Sequence, residues 1–453
     1  MQRIHCTLWS GALTLATSLA LVSTSYANEI GARGEPTKIT AANKQQLDGL
    51  LPPDLLQYVK DYPDLNMTIG PTREYPTNPA YLEATKKYAC QAKLDAQGRL
   101  QNYTAGQPFP FSEWAKEATG HKCDLTPDDP QFALKVAWDV NFRWQGPGLN
   151  IPHFGFSYMR NNGNDTWRVT QGEYRRTYYS HRADLPDHTL DAGSDVEWAE
   201  FFDVKTPFDL RGTMFLLFRY NYDKEAKEDQ TYAYIPSLRR VRRVSATQKS
   251  DSLLGTEFTL EDFYLFAGYV WEHKWEFKGE KQYVATLNSK RNCFPNNISP
   301  EEAKRTEGQT RLGTKEEWET CKYGPFGALP FADETWEKRS VVELDDIPQQ
   351  EGHPYSRKKI FYDKETLMPL YAAAFDRAGE PFRLVMTTFR WSEDSVTAAD
   401  KGQNVLNIIG AQIVNVQNGN SHVGSFWNAN AAKFDVATSK KYYDTTRLKK
   451  EGR

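Results

Sequence analysis

The sequence predicts a mainly β fold of the α+β kind: a curved antiparallel sheet or half-barrel, partly covered by helices and a loop-rich N-terminal region. Three observations lead there. Trp271-Glu-His-Lys-Trp-Glu-Phe-Lys278 puts Trp271, His273, Trp275 and Phe277 on one face and Glu272, Lys274, Glu276 and Lys278 on the other. That alternation belongs to an antiparallel strand with one wet side. Runs of the same grammar follow one another across short polar turns, from Lys359 to Tyr362, Leu367 to Phe375 and Phe382 to Trp391. Phe, Tyr and Trp make up 13% of the 453 residues and crowd the stretch from Phe215 to Trp275, as expected of a sheet curling around an apolar space.

In chain order, residues 1–27 read as a secretory signal. Arg3 precedes a mostly apolar run from Leu8 to Val22, and Ser25-Tyr26-Ala27 offers small residues at the cleavage positions. Cys6 lies before the apolar run with no lipobox around it. A membrane anchor is the alternative, but Ser and Thr interrupt the run and it is short for a bilayer span, so the mature chain is expected to be exported and soluble. No later segment approaches the ~18 uninterrupted apolar residues of a spanning helix.

Residues 28–129 read as a helix and loop region packing on the sheet. A short helical pattern covers Ala41 to Leu50 with Thr40 as its cap, and Leu51-Pro52-Pro53 stops it. Further helices are expected from Pro53 to Lys60, Ala80 to Ala89 and Phe111 to Ala118, separated by Pro71, Pro76, Pro79 and the Pro-rich loop 106–111. From about Pro130 to the end, residues 130–453, the period becomes two and the β domain begins. Gly212 to Tyr222 and Gln230 to Ile235 form a hairpin around the charged tip 223–229.

Charge and cysteines narrow the function. The 56 basic and 59 acidic residues leave a formal charge of -3, so no overall field favours nucleic acid. In an oxidising compartment the four cysteines of the mature chain pair by spacing as Cys90 with Cys123 and Cys293 with Cys321. A zinc site is the rival reading, disfavoured because no Cys-x-x-Cys occurs.

The aromatic stretch supplies candidate cavity walls: Phe215, Phe218, Tyr220, Tyr232 and Tyr234 on the hairpin, then Phe258, Phe263, Phe266, Tyr269, Trp271 and Trp275. Ordinary core under a helix is the alternative for any single ring. Four arginines then occupy five positions, Arg239, Arg240, Arg242 and Arg243, with Pro236 and the hairpin before them favouring a strand with an irregular end. So many guanidinium groups repel unless carboxylates answer them. Asp251, Glu257, Glu261 and Asp262 follow closely, and a clasp between the two groups is expected near the cavity mouth.

Tyr234-Ile-Pro-Ser-Leu-Arg-Arg-Val-Arg-Arg243 followed by Asp251-Ser-Leu-Leu-Gly-Thr-Glu-Phe-Thr-Leu-Glu-Asp-Phe263 resembles a long Gram-negative periplasmic family of unknown function. Its members are known as outer membrane lipoprotein-sorting protein homologues, with a LolA/LolB-like half-barrel. The segments Asn43 to Pro52, Ile69 to Pro76 and Asn102 to Pro110 are similar to it too, so the likeness spans most of the mature chain. It implies a carrier whose concave face takes a lipid, an acyl chain or a lipoprotein between the membranes. Implied partners are an outer membrane barrel protein and an inner membrane exporter of the resistance-nodulation-division type, with transient membrane contact. The long N-terminal region departs from the shorter sorting proteins.

Two rival readings are a docking subunit of an envelope complex and a periplasmic hydrolase. The sequence carries no His-Glu-x-x-His, Gly-x-Ser-x-Gly or Walker loop, and no cofactor motif. His181 and His188, with Asp184, Asp187 and Asp191, make the best metal-like cluster, although such clusters are usually solvated loops. His273, on the aromatic face of its strand, reads as a core histidine or a polar contact to ligand.

Overall fold

The computed structural model describes residues 35–221, 227–244, 250–289, 323–332, 334–395, 397–431 and 433–451. The expected signal segment lies outside them, as do Cys293 and Cys321. Seventeen strands are present among the described residues: β1 (Thr37–Thr40), β2 (Asn66–Ile69), β3 (Lys93–Leu94), β4 (Leu100–Gln101), β5 (Gly148–Arg160), β6 (Asp165–Tyr178), β7 (Val196–Thr206), β8 (Met214–Tyr220), β9 (Gln230–Ile235), β10 (Arg240–Val244), β11 (His273–Ala285), β12 (Glu334–Pro348), β13 (Arg357–Asp363), β14 (Pro369–Phe375), β15 (Pro381–Trp391), β16 (Leu406–Asn415) and β17 (Asn420–Trp427). Six α-helices accompany them: α1 (Pro53–Val59), α2 (Pro79–Tyr88), α3 (Glu113–Thr119), α4 (Phe132–Asn141), α5 (Val436–Tyr442) and α6 (Thr445–Glu451).

Fifteen strands form one sheet in the order β1-β2-β12-β13-β14-β15-β16-β17-β5-β6-β7-β8-β9-β10, with β11 also paired to β12. The ladder runs from β1 to β10 without closing into a barrel. Its pairings are antiparallel except β2 with β12, where Met67 to Ile69 lie beside Glu334 to Trp336. The fold is thus the expected one, mostly antiparallel sheet with a few helices.

Side-chain alternation distributes the sheet between separate cores. On β13, Ile360 and Tyr362 face α4, Trp138 and Phe111, whereas Phe361 between them joins Leu55, Tyr283 and Met386. Burying both faces explains why β14 is buried at all seven positions and reads as a continuous apolar run. At the other end, α6 and the residues around α5 cover β7 to β9, where Phe201, Met214, Leu216 and Tyr234 meet Tyr443 and Leu448.

The N-terminal helices arise where local signals are strongest. Asn78 accepts a hydrogen bond from the Ala80 amide at 2.9 Å, and Pro79 opens α2. Gly120, at φ 63°, ends α3 in the left-handed conformation that glycine tolerates. Cys90 and Cys123 form the expected disulfide, tying the end of α2 to the segment after α3.

Three expectations need correction. The pattern from Ala41 to Leu50 yields only a short 3-10 turn, Lys44–Leu47, because Leu47 and Leu50 are drawn into the core without a full helical face between them. The N-terminal region does more than wrap the sheet, since β1 and β2 extend it. Period two begins at β5 rather than near Pro130: Phe132, Val136 and Val140 recur every four residues and form the buried helix α4.

Candidate functional site: an aromatic cavity under a pinned roof

The inner faces of β5 to β9 line a cavity holding about 830 Å³ of atom-free space counted out to its mouth. Period two selects the walls. Phe154 and Phe156 come from β5, Tyr174 and Arg176 from β6, Trp198, Glu200 and Phe202 from β7, and Phe215, Leu217 and Arg219 from β8. Two glycines make room for the rings. A side chain at Gly172 would meet the Asp203 carbonyl and the Phe154 ring, and one at Gly424 would meet Phe156. Phe154 therefore lies flat across the neighbouring strand and stacks on Phe202 with centroids 4.6 Å apart.

The roof is the irregular segment 250–269, which hangs Leu253, Phe258, Leu260 and Phe263 into the cavity. Its acids pin it to the other half of the sheet. Glu257 accepts from Arg383 of β15 at 3.1 Å. Asp262 accepts from Lys358 of β13 at 3.3 Å and from the Tyr355 hydroxyl at 2.8 Å. Glu261 meets His353 at 3.0 Å and His273 at 3.4 Å, and His273 is held on its other nitrogen by Asp346 at 2.5 Å. Burial alone would lower the His273 pKa, but Asp346 and Glu261 outweigh it and raise it to about 9.

A second clamp fixes the end of the roof. Arg219 makes two bonds to Asp229, at 3.2 and 3.0 Å, and donates to the carbonyls of Ala267 and Gly268. Tyr269 donates to Asp229 at 2.6 Å. Arg176 pairs with Glu200, which also accepts from the Tyr174 hydroxyl at 2.7 Å. The guanidinium carbons of Arg176 and Arg219 sit 4.4 and 4.7 Å from the Trp198 ring centre. The charges in the wall are thus satisfied by one another, and the remaining surface is mainly apolar, with phenylalanines predominating.

Of the expected wall residues, the structure brings Phe215, Phe258 and Phe263 to the cavity. Phe218, Tyr220, Tyr232 and Tyr234 have the opposite parity on β8 and β9, and Phe218, Tyr232 and Tyr234 pack on the C-terminal helices. Tyr269 belongs to the Arg219 clamp. Trp271 stacks on Trp138 at 6.0 Å, Trp275 donates to the Val270 carbonyl, and Phe266 lies against His273 and Trp275. The missed walls, Phe154, Phe156, Trp198 and Phe202, were visible as residues of one parity, two apart in Phe154-Gly-Phe156 and four apart in Trp198-Ala-Glu-Phe-Phe202.

The expected clasp does not form among the described residues. Pro236–Leu238 makes a 3-10 turn, Arg239 takes a left-handed conformation at φ 46°, and β10 returns along β9 as a regular strand rather than an irregular end. Arg239, Arg240, Arg242 and Arg243 are exposed on this last strand, as is Asp251. Glu257, Glu261 and Asp262 point away from them, to Arg383, the two histidines and Lys358.

The metal reading of His181 and His188 also finds other partners. His181 Nδ1 bonds the Thr104 carbonyl at 2.9 Å, and His188 bonds the Arg182 carbonyl and the Tyr88 hydroxyl. Asp184 is taken by Arg182 and Asp191 by Lys440. No group of three metal-ligating side chains occurs among the described residues, and no helix among them is long and apolar enough to cross a membrane.

Comparison with solved structures finds similarity to an outer membrane lipoprotein-sorting protein domain from Vibrio parahaemolyticus, at 17% identity over 70% of this chain and 98% of that one, with a TM-score of 0.44. A DUF1329 family protein from Desulfovibrio piger matches at 15% identity over 70% and 97%, with a TM-score of 0.43. A LolA superfamily protein from Nitrosomonas europaea matches at 9% identity over 69% and 98%, with a TM-score of 0.37. No curated protein matches the chain. The family model described as protein of unknown function, DUF1329, matches residues 38–449, nearly all of the described chain, and the protein belongs to that family.

Proposed function

We propose that this protein is a periplasmic carrier that holds a hydrophobic ligand, a lipid, an acyl chain or a lipidated protein, in the aromatic cavity under the roof. The observation that supports the reading best is the cavity wall itself. Phenylalanines from four strands, β5, β7, β8 and β17, and two from the roof face open space, while the charged residues among them are paired off. An acyl chain entering such a space gains roughly 0.8 kcal/mol per buried methylene and needs no reaction chemistry. The carrier works in transit between the two membranes, where an outer membrane barrel and an inner membrane exporter are the partners it would meet.

The test is twofold. Native mass spectrometry of protein taken from the periplasm is expected to show a bound apolar ligand. Separately, purified protein is expected to bind 1-dodecanol at one molecule per chain, with Phe215→Arg weakening it at least about tenfold and leaving the fold intact. A cavity found empty in the first experiment and indifferent to dodecanol in the second would overturn the reading.

A further inference from the structure

A buried cation lies close to the cavity with no carboxylate among the described residues to answer it. Arg143 follows the C-terminal end of α4 and is 7% exposed. Its guanidinium donates to the Val140 carbonyl at 2.7 Å and to the Gln145 side-chain oxygen at 3.1 Å, both neutral acceptors. Its Nε is buried with no hydrogen-bond partner. Burial lowers its pKa, and the groups acting on it electrostatically include the phenols of Tyr264, Tyr178 and Tyr362 and the like charge of Arg176. No ion pair joins Arg143 to an acid among the described residues. The contrast with Arg176, Arg219, Arg339 and Arg383 is direct, since each of those buried arginines has its carboxylate. An unanswered buried charge costs several kcal/mol, so the site is poised for an anion from outside.

Space for one is present. Two clefts of mixed polar and apolar lining, of about 440 and 390 Å³ counted to their mouths, are both lined by Tyr81, Arg143 and Trp144. The larger also touches Tyr178, and Tyr178 continues the β6 face whose preceding members, Tyr174 and Arg176, line the aromatic cavity. Residues two apart on a strand are separated by roughly 7 Å, so cleft and cavity are neighbours along one face. Tyr264 connects them from above: its ring lies 4.7 Å from the Arg143 guanidinium carbon, and its neighbour Phe263 hangs into the cavity.

We propose that Arg143 binds the anionic head, a phosphate or a carboxylate, of an amphiphile whose chain occupies the aromatic cavity. The inference rests on the carrier reading for the chain and on Arg143 alone for the head. A guanidinium presents its N–H groups as a fork that matches either anion, and such charge-assisted bonds are roughly twice as strong as neutral ones.

Calorimetric titration with three probes tests it: dodecyl phosphate, 1-dodecanol and inorganic phosphate, against wild type and Arg143→Gln. Wild type is expected to bind dodecyl phosphate at least about tenfold more tightly than dodecanol. Arg143→Gln is expected to erase that preference while keeping the dodecanol Kd. A preference that survives in Arg143→Gln, or is absent from wild type, would overturn the head-group site and leave the carrier reading standing. If inorganic phosphate binds in an Arg143-dependent way and dodecyl phosphate binds no better, the anion comes free in solution and the amphiphile proposal falls, while dodecanol binding still decides the carrier reading. Thermal melting of ligand-free Arg143→Met guards against a folding role. Its Tm is expected to equal or exceed that of wild type, because the substitution removes an unanswered buried charge, whereas a fall of several degrees would make Arg143 structural and overturn the proposal.

Discussion

Over β11, β12, β13 and β15 the roof is nailed down by charge, whereas over β5 to β9 the same roof suspends phenylalanines above open space. The first region contains Lys358, Arg383, His273 and His353 against Glu257, Glu261, Asp262 and Asp346, all with little or no solvent. The second contains mainly rings, with its few charges tied in pairs. Buried ion pairs gain little net stability but tolerate few alternative arrangements. Apolar rings attract without dictating an orientation, which fits the proposed carrier role. The difference teaches that one segment has two jobs: its acids fix where it lies, and its aromatics shape what lies beneath it.

The largest expected effect falls on the charged side. Lys358 is fully buried between Asp262 at 3.3 Å and Asp346 at 3.9 Å. Lys358→Met takes the lysine charge from two buried carboxylates, leaving Asp262 to Tyr355 and Asp346 to His273, and is expected to cost about 3 kcal/mol in urea denaturation, with loss of roof protection in hydrogen exchange. An unchanged midpoint would mean that the roof does not depend on its pegs.

A pH titration sharpens the comparison, because a histidine in each region slopes the opposite way. The His273 pKa, raised from 6.5 to about 9, means that the folded state holds its proton more tightly than the unfolded chain. Its contribution is complete below about pH 6.5 and is lost as pH rises through 9, a change on the order of 3 kcal/mol. His273→Gln is expected to flatten this alkaline limb. His422, on the aromatic side, is buried against Phe156 and Phe258 with neither ring nitrogen hydrogen-bonded, and burial lowers its pKa to about 3. Here the folded state prefers the neutral ring, so stability is complete above about 6.5 and falls as pH drops toward 3. His422→Phe is expected to remove that acid limb, read as a loss of the fall in urea midpoint below about pH 6.5. If both variants kept the wild-type pH profile, the two histidines would not distinguish the regions.

Much of this was legible in the sequence, and the residues show where legibility stops. Alternation gave the hairpins from β13 to β15 and the strands β8 and β9, because a sheet with distinct faces writes its period into the chain. The same rule, applied strictly, separates Phe215 from Phe218, and Phe154 with Phe156 from their neighbours. Density of rings is a weaker guide than parity. The helix α4 had its own period of four in Phe132, Val136 and Val140. The partners of the roof acids were not readable, since Glu257 meets Arg383 across 126 positions and nothing local to either predicts the other. Nearness in sequence pointed to Arg239 through Arg243 instead, and the fold carries those to the far edge.

That edge gives the arginines a different meaning. β10 is the last strand of the ladder, so its outer backbone groups have no further strand among the described residues to pair with. Such a margin invites addition of another strand, from a neighbouring copy or a partly unfolded chain. Four exposed guanidinium side chains on and beside five residues of strand make a self-templated contact electrostatically unfavourable, because a second copy aligned there would meet its own charge. An open sheet leaves a rim unsealed, and here the charges on the rim discourage polymerisation by repulsion.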